Sequence, residues 1–143
     1  MRLWHQKLIP YLDDKRILGL HREVAALRGG GWGRKHSVVD YVFGYEPARL
    51  YAYHLLVMDE MVKRNFHPSG QWYNRLYRGH KLKMLTLSEA GIYVGKSGSI
   101  IYPEHDDAYL AECLDNLAEK GAEFVNGESV AEMRVRLAAE KGV

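Results

Sequence analysis

The chain has one cysteine, Cys113, in 143 residues. An intramolecular disulfide is thereby excluded, no metal-type cysteine pair exists, and the thiol usage fits a reducing cytoplasm. Long apolar runs are missing as well. None approaches the ~20 residues that span a bilayer, so no membrane partner is expected. The opening stretch, Met1 to Asp14, lacks the apolar core and small-residue cleavage site of a secretory signal. Repeats, low-complexity tracts and Pro/Ser-rich linkers are also missing. These absences leave a single domain over residues 1–143 as the expectation, at a length that supports a real hydrophobic core.

What is present is unevenly distributed. The formal net charge is only +2, but Lys and Arg outnumber Asp and Glu by 15 to 7 through Lys83 and are outnumbered 5 to 11 from Met84 onward. A basic part over 1–83 and an acidic part over 84–143 point to a polyanion-facing N-terminal portion. Folding can also interleave the two halves and leave no patch, because order along a chain is not order on a surface.

The periodicity predicts a mainly α, compact protein. Pro10 reads as a first-turn proline, with Asp13 and Asp14 where the helix dipole favours acids. Ile17, Leu20, Val24 and Leu27 then hold helical spacing up to Gly29-Gly30-Gly31. Pro47 opens a second helix through Asn65, apolar around most of its girth, with Leu50, His54, Val57 and Met61 on one face. The stretch between them, residues 37–47, suits either a helical turn or a buried strand. "IYVGKSGSIIY", residues 92–102, reads as one small β-hairpin. Two acidic helices, near Asp106–Lys120 and Ser129–Lys141, close the chain.

Four possible sites are set aside. Gly95-Lys96-Ser97 lacks the glycine a P-loop needs at position 90, which is Ala90, and no helix start follows it. Glu104, His105, Asp106 and Asp107 suit the start of a helix better than a metal, so no metal or cofactor is expected. Cys113 sits at core spacing with nothing nearby to lower its pKa. His54, on an apolar face, reads as a hydrogen-bonded core histidine.

The remaining concentration of chemistry surrounds Glu23. Arg16, Gly19 and Glu23 share one stripe of the first helix. Gly19 either clears space beside the carboxylate or permits close helix packing. Arg2, Lys15, Arg16, Arg22, Arg28, Arg34 and Lys35 form a dense basic set around this acid. Such charges bind phosphates without reading sequence, and the glycines at 29, 30, 31 and 33 could add backbone N–H groups. Trp72, Tyr73, Arg75 and Arg78 combine rings for unstacked bases with further cations. On its own, the pattern allows Glu23 to be a counter-charge or a catalytic group.

The N-terminal "MRL", "HRE" at 21–23, "RKH" at 34–36, "VKRNFHP" at 62–68 and "WYNRLYRG" at 72–79 occur in an order that resembles the phage-type pyrimidine-dimer DNA glycosylases. The resemblance covers roughly the first 80 residues. It implies a DNA repair glycosylase with AP-lyase activity on damaged duplex DNA, acting through a Schiff base on the N-terminal amine. Residue 2 is Arg2, not a small residue, so the amine would be that of Met1, with Glu23 assisting. Arg2 and Arg22 match phosphate-contacting positions, and access would come from flipping a nucleotide out of the stack. The alternative is a non-catalytic DNA- or RNA-binding protein on the same scaffold.

Overall fold

The computed structural model describes residues 3–30 and 39–141. Among these the regular structure is helical: α1 (Asp14–Arg28), α2 (Pro47–Lys63), α3 (Leu87–Ala90), α4 (Asp107–Glu119) and α5 (Val130–Lys141), with 3₁₀ segments between them. The β structure among the described residues is an isolated bridge, Glu123 to Ser129.

Each helix begins and ends where its local chemistry allows. Asp13 caps α1 by accepting from the Arg16 amide at 3.0 Å. Pro10 therefore lies in the turn before the helix and is not a first-turn residue. At the other end, Gly30 adopts φ +91°, a left-handed conformation that ends the helix and favours glycine. The Gly29 amide donates to Ala25 and the Gly30 amide to Leu27. Those two N–H groups thus cap the helix and do not form the phosphate cradle expected of them; Gly31 and Gly33 lie outside the described residues.

Pro47 occupies the first turn of α2, as read from the sequence. That helix closes with Asn65 at φ 67°, while the Phe66 amide reaches the Met61 carbonyl and the Asn65 amide the Val62 carbonyl, a Schellman arrangement. Arg64, at the same end, reaches the carbonyls of Leu12, at 2.6 Å, and Pro10, at 3.2 Å, and pairs with Glu60 and Asp14. It ties the end of α2 to the entry of α1.

The two long helices pack against each other through the faces the spacing picked out. Ile17, Leu20, Val24 and Leu27 meet Leu50, Tyr53, Val57 and Met61 in one buried cluster. Burial of each large apolar side chain contributes about 1.5–3 kcal/mol. His54 is fully buried, whereas Leu56 is exposed, so the apolar girth of α2 is less complete than its sequence suggests. Residues 40–44 resolve as a 3₁₀ turn.

The acidic part joins the same core. Cys113, Leu114, Leu117, Phe124, Val130 and Met133 belong to the cluster that holds Leu3 and Leu20. Asp106 caps α4 by accepting from the Tyr109 amide at 2.8 Å, and Ser129 and Glu132 form a reciprocal capping box at α5. The expected hairpin at 92–102 is absent. Ile92 and Val94 are 80% and 89% exposed, so the alternating pattern has no face to bury and no partner strand to pair with. A turn closed by the Ser99 amide on the Lys96 carbonyl stands there instead.

Among the described residues no helix packs against Gly19, and a Cβ built at that position meets only the tip of Arg22, at 3.9 Å. Gly19→Ala is expected to raise stability by about 1 kcal/mol, the helix-propensity difference, measured as a shift in urea midpoint. A loss of stability would show that the position is packed.

Candidate nucleic-acid interface

The face of α1 bearing His21, Arg22, Ala25, Ala26 and Gly29 forms one wall of an open groove of about 560 Å³. Trp72, Arg78, Gly79, His80 and Lys81 form the other. Among the described residues the charged side chains lining it are all cations, and small residues on α1 keep it wide. Gly29 lets the second wall approach closely, since a Cβ there would stand 3.1 Å from the Arg78 carbonyl oxygen. Gly79, at φ +92°, supplies the left-handed turn that carries His80 and Lys81 round the groove.

One buried arginine holds the two walls together. The Arg28 guanidinium donates to the carbonyls of Trp72 at 2.8 Å, Asn74 at 2.8 Å and Tyr77 at 3.2 Å. It lies about 5.1 Å from the ring centroids of both Tyr51 and Trp72. Burial lowers its pKa to about 10, which leaves it charged at neutral pH. Arg28, expected to grip phosphate, is turned inward and organises the segment that carries Trp72 and Arg78. The five donors of a planar guanidinium suit this task; a lysine would satisfy it only in part.

The same guanidinium fixes the protons of two histidines. Arg28 can only donate, so at 2.9 Å it makes His54 Nδ1 an acceptor. Neutral His54 then carries its proton on Nε2 and donates it to His21 Nδ1 at 2.8 Å. His21, which lines the groove, is left with its proton on Nε2. Burial, then Arg28 and His21, push the His54 pKa down to about 2. Burial, then Arg22 and Arg28, lower that of His21. His54 is thus a hydrogen-bonded core histidine, as its apolar face suggested.

The other expected site residues are scattered around this groove. Glu23 is buried, 6% exposed, beside Leu20 and Val24; its neighbour Arg22 is exposed in the groove. Arg16 pairs with Asp13 at 2.9 Å and does not line the groove. Trp72 is half-buried, its ring centroid 4.8 Å from that of Tyr77 and 5.7 Å from that of His54. Tyr73 is exposed, and its carbonyl accepts from Tyr51 at 2.7 Å. Arg75 is exposed and lines a neighbouring pocket of about 240 Å³, which Arg78 shares. Met1, Arg2, Arg34 and Lys35 lie outside the described residues. His21, His80 and Lys81 were not picked out as site residues from the sequence. The signal was available, because the basic run of "RLYRGHK" continues past Arg78.

Among the described residues no group of three or more His, Cys, Asp or Glu is placed to hold a metal ion. Glu104 accepts from the Tyr45 hydroxyl at 2.9 Å, Asp106 caps α4 and His105 is a buried acceptor. No helix among the described residues is long and apolar enough to cross a membrane.

A family model described as pyrimidine dimer DNA glycosylase matches residues 1–74. The chain belongs to that family. Membership makes DNA the substrate class, and the match takes in α1, α2 and Trp72 of the far groove wall. No curated protein and no solved structure matches the chain.

The buried histidines give the fold a pH dependence. His54 accepts from Arg28, and His105 accepts from the Gln6 amide at 3.0 Å; protonation breaks either bond. Burial is the main cause of both depressed values, about 2 for His54 and about 3 for His105, against about 6.5 in an unfolded chain. Their contribution is therefore complete above pH 6.5 and is lost as pH falls, by about 1.4 kcal/mol per unit for each histidine between pH 6 and 4. Chemical denaturation at pH 6, 5 and 4 should show His54→Gln with a pH slope flatter than wild type by that amount. Parallel slopes would overturn the assignment.

Proposed function

We propose that the protein is a DNA glycosylase with AP-lyase activity on damaged pyrimidines, using the Met1 α-amine as nucleophile and Glu23 as the assisting acid–base group. The observation that carries this reading is Glu23, a carboxylate 6% exposed on α1, adjacent in sequence to an arginine of a groove lined by cations, within the residues the family model matches. In a buried, low-dielectric setting a carboxylate stabilises a developing cation far more than it would in water.

The chemistry follows from these groups. An α-amine has an unperturbed pKa of about 7.7–8.0, so an appreciable fraction is neutral near pH 7. Its lone pair attacks C1′ of the damaged nucleotide, and the glycosidic bond breaks with its electron pair leaving on the base. The amine gives up one proton, the C1′–O4′ bond breaks with O4′ taking that proton through the carboxylate, and the ring opens to an iminium between the amine and C1′. Loss of a proton from C2′ to the carboxylate then expels the 3′-phosphate and cuts the strand. Arg22, Arg78 and Lys81 hold the flanking phosphates, and Trp72 offers a ring edge or face to a displaced base. The groove supplies position without sequence readout, as recognition of a lesion in any context requires.

Borohydride added to the protein on DNA containing an abasic site should trap a covalent adduct, mapped by mass spectrometry to the Met1 amine. Glu23→Gln should lose the elimination step, and an N-terminal tag should abolish trapping with little loss of DNA affinity. Binding with no adduct from an accessible N-terminus would sink the enzyme reading and leave the non-catalytic one. In a separate measurement, Arg22→Ala or Lys81→Ala should each reduce the slope of log affinity against log salt by about 1, equally on different sequences. An unchanged slope in both would remove the groove from the DNA path.

A further inference from the structure

The family match ends at residue 74, which leaves the acidic part without an assigned task. The N-terminal segment shows what it does in the fold. Leu3, Trp4 and His5 run as irregular chain with no sheet partner, yet Leu3 is fully buried and His5 1% exposed. Backbone groups buried in this way need partners from elsewhere. They come from three elements. The Tyr109 hydroxyl of α4 donates to the Leu3 carbonyl, and the Tyr53 hydroxyl of α2 donates to the Trp4 carbonyl. His105, just before α4, accepts the Gln6 amide at 3.0 Å. The Gln6 side chain is held in turn, donating to the Ser99 carbonyl at 2.8 Å and accepting from the Ile101 amide at 2.8 Å. The rings pack on one another as well: His105 and Tyr109 stack with centroids 5.2 Å apart, and His5 lies 5.2 Å from His105.

Among the described residues, most of the groups that grip residues 3–6 therefore come from beyond residue 98, Lys120 over the Trp4 ring included. Covalent geometry keeps the α-amine within about 7 Å of the Leu3 nitrogen, so fixing the Leu3 carbonyl limits where that amine can go. We propose that the acidic part completes the catalytic site by holding the N-terminal segment, with Tyr109 a positioning residue for the Met1 amine. The inference rests on the N-terminal amine being the nucleophile. A displacement of about 1 Å in a reacting group costs as much as 100-fold in rate, and a tether at the third residue guards against shifts of that size.

Tyr109→Phe keeps the ring and its stacking and removes only the hydroxyl. Single-turnover borohydride trapping on abasic-site DNA should slow by about 10-fold, with the dissociation constant for the same DNA unchanged. Tyr45→Phe is the matched control. Tyr45 packs in the same aromatic cluster, 5.4 Å from Tyr102, but its hydroxyl serves Glu104 and not the N-terminal segment; its trapping rate should equal wild type. Thermal melting of both variants separates loss of fold from loss of rate. Should Tyr109→Phe melt below the assay temperature, Tyr53→Phe is expected to slow trapping in the same way, through the Trp4 carbonyl. Trapping in Tyr109→Phe within twofold of wild type overturns the positioning role while leaving the nucleophile intact. No N-terminal adduct in wild type overturns the nucleophile, and this inference with it.

Discussion

The Arg28 guanidinium is the point on which the rest of the groove depends. It is the last residue of α1, it lies between the rings of Tyr51 and Trp72, and it binds three carbonyls of residues 72–77. It draws a loop with little regular structure against the end of α1, where the Tyr51–Tyr73 hydrogen bond and the Trp72–His54 ring contact add to its hold on the wall carrying Trp72 and Arg78. Removing a charged donor that serves several buried acceptors leaves each of them unsatisfied. The same group, through His54, decides which ring nitrogen of His21 bears a proton. One buried cation thus sets both the shape of the groove and the donor character of a side chain within it.

The charge imbalance along the chain takes on a structural meaning in this arrangement. The basic part supplies the groove through α1 and residues 72–81, and the acidic part supplies α4 and α5 on the same core. Leu3 of the basic part and Met133 of the acidic part belong to one buried cluster. Acidic side chains such as Asp115 and Glu128 pair with Arg134 and Arg136 of α5, so part of the negative charge is answered locally. Exposed pairs of this kind contribute little to stability. They do keep the α5 arginines engaged within the acidic part.

Legibility in the sequence followed the range of the interaction involved. Helix boundaries at Pro47, Asn65, Asp106 and Ser129 rest on contacts within a few residues, and their patterns could be read directly; the start of α1 was read too early, at Pro10, where the cap is Asp13. The core faces of α1 and α2 were equally plain, because 3.6-residue periodicity reports burial. The hairpin at 92–102 was misread, since alternation of apolar residues marks a strand only when a partner and a buried face exist, and here neither does. Arg28 was misplaced for a different reason. Its acceptors lie 44 to 49 residues further along, and they are carbonyl oxygens, which every residue carries and no sequence pattern advertises. Glu23 stood out for its basic surroundings, but its burial depends on helix packing that the local sequence does not encode.

The way Arg28 grips its partner segment has one more consequence. Its hydrogen bonds to that segment go to main-chain oxygens at 72, 74 and 77, and the side chain it meets there is the Trp72 ring. The identities of residues 73, 75 and 76 therefore have no part in the anchorage. Tyr73 and Arg75 project from a backbone whose path is set from beneath, and they can be exchanged without disturbing the path. A scaffold built this way separates holding the loop in place from choosing what the loop touches. Contact chemistry on the surface beside the groove can then diversify by substitution alone, with no insertion or rearrangement of the helices that carry it.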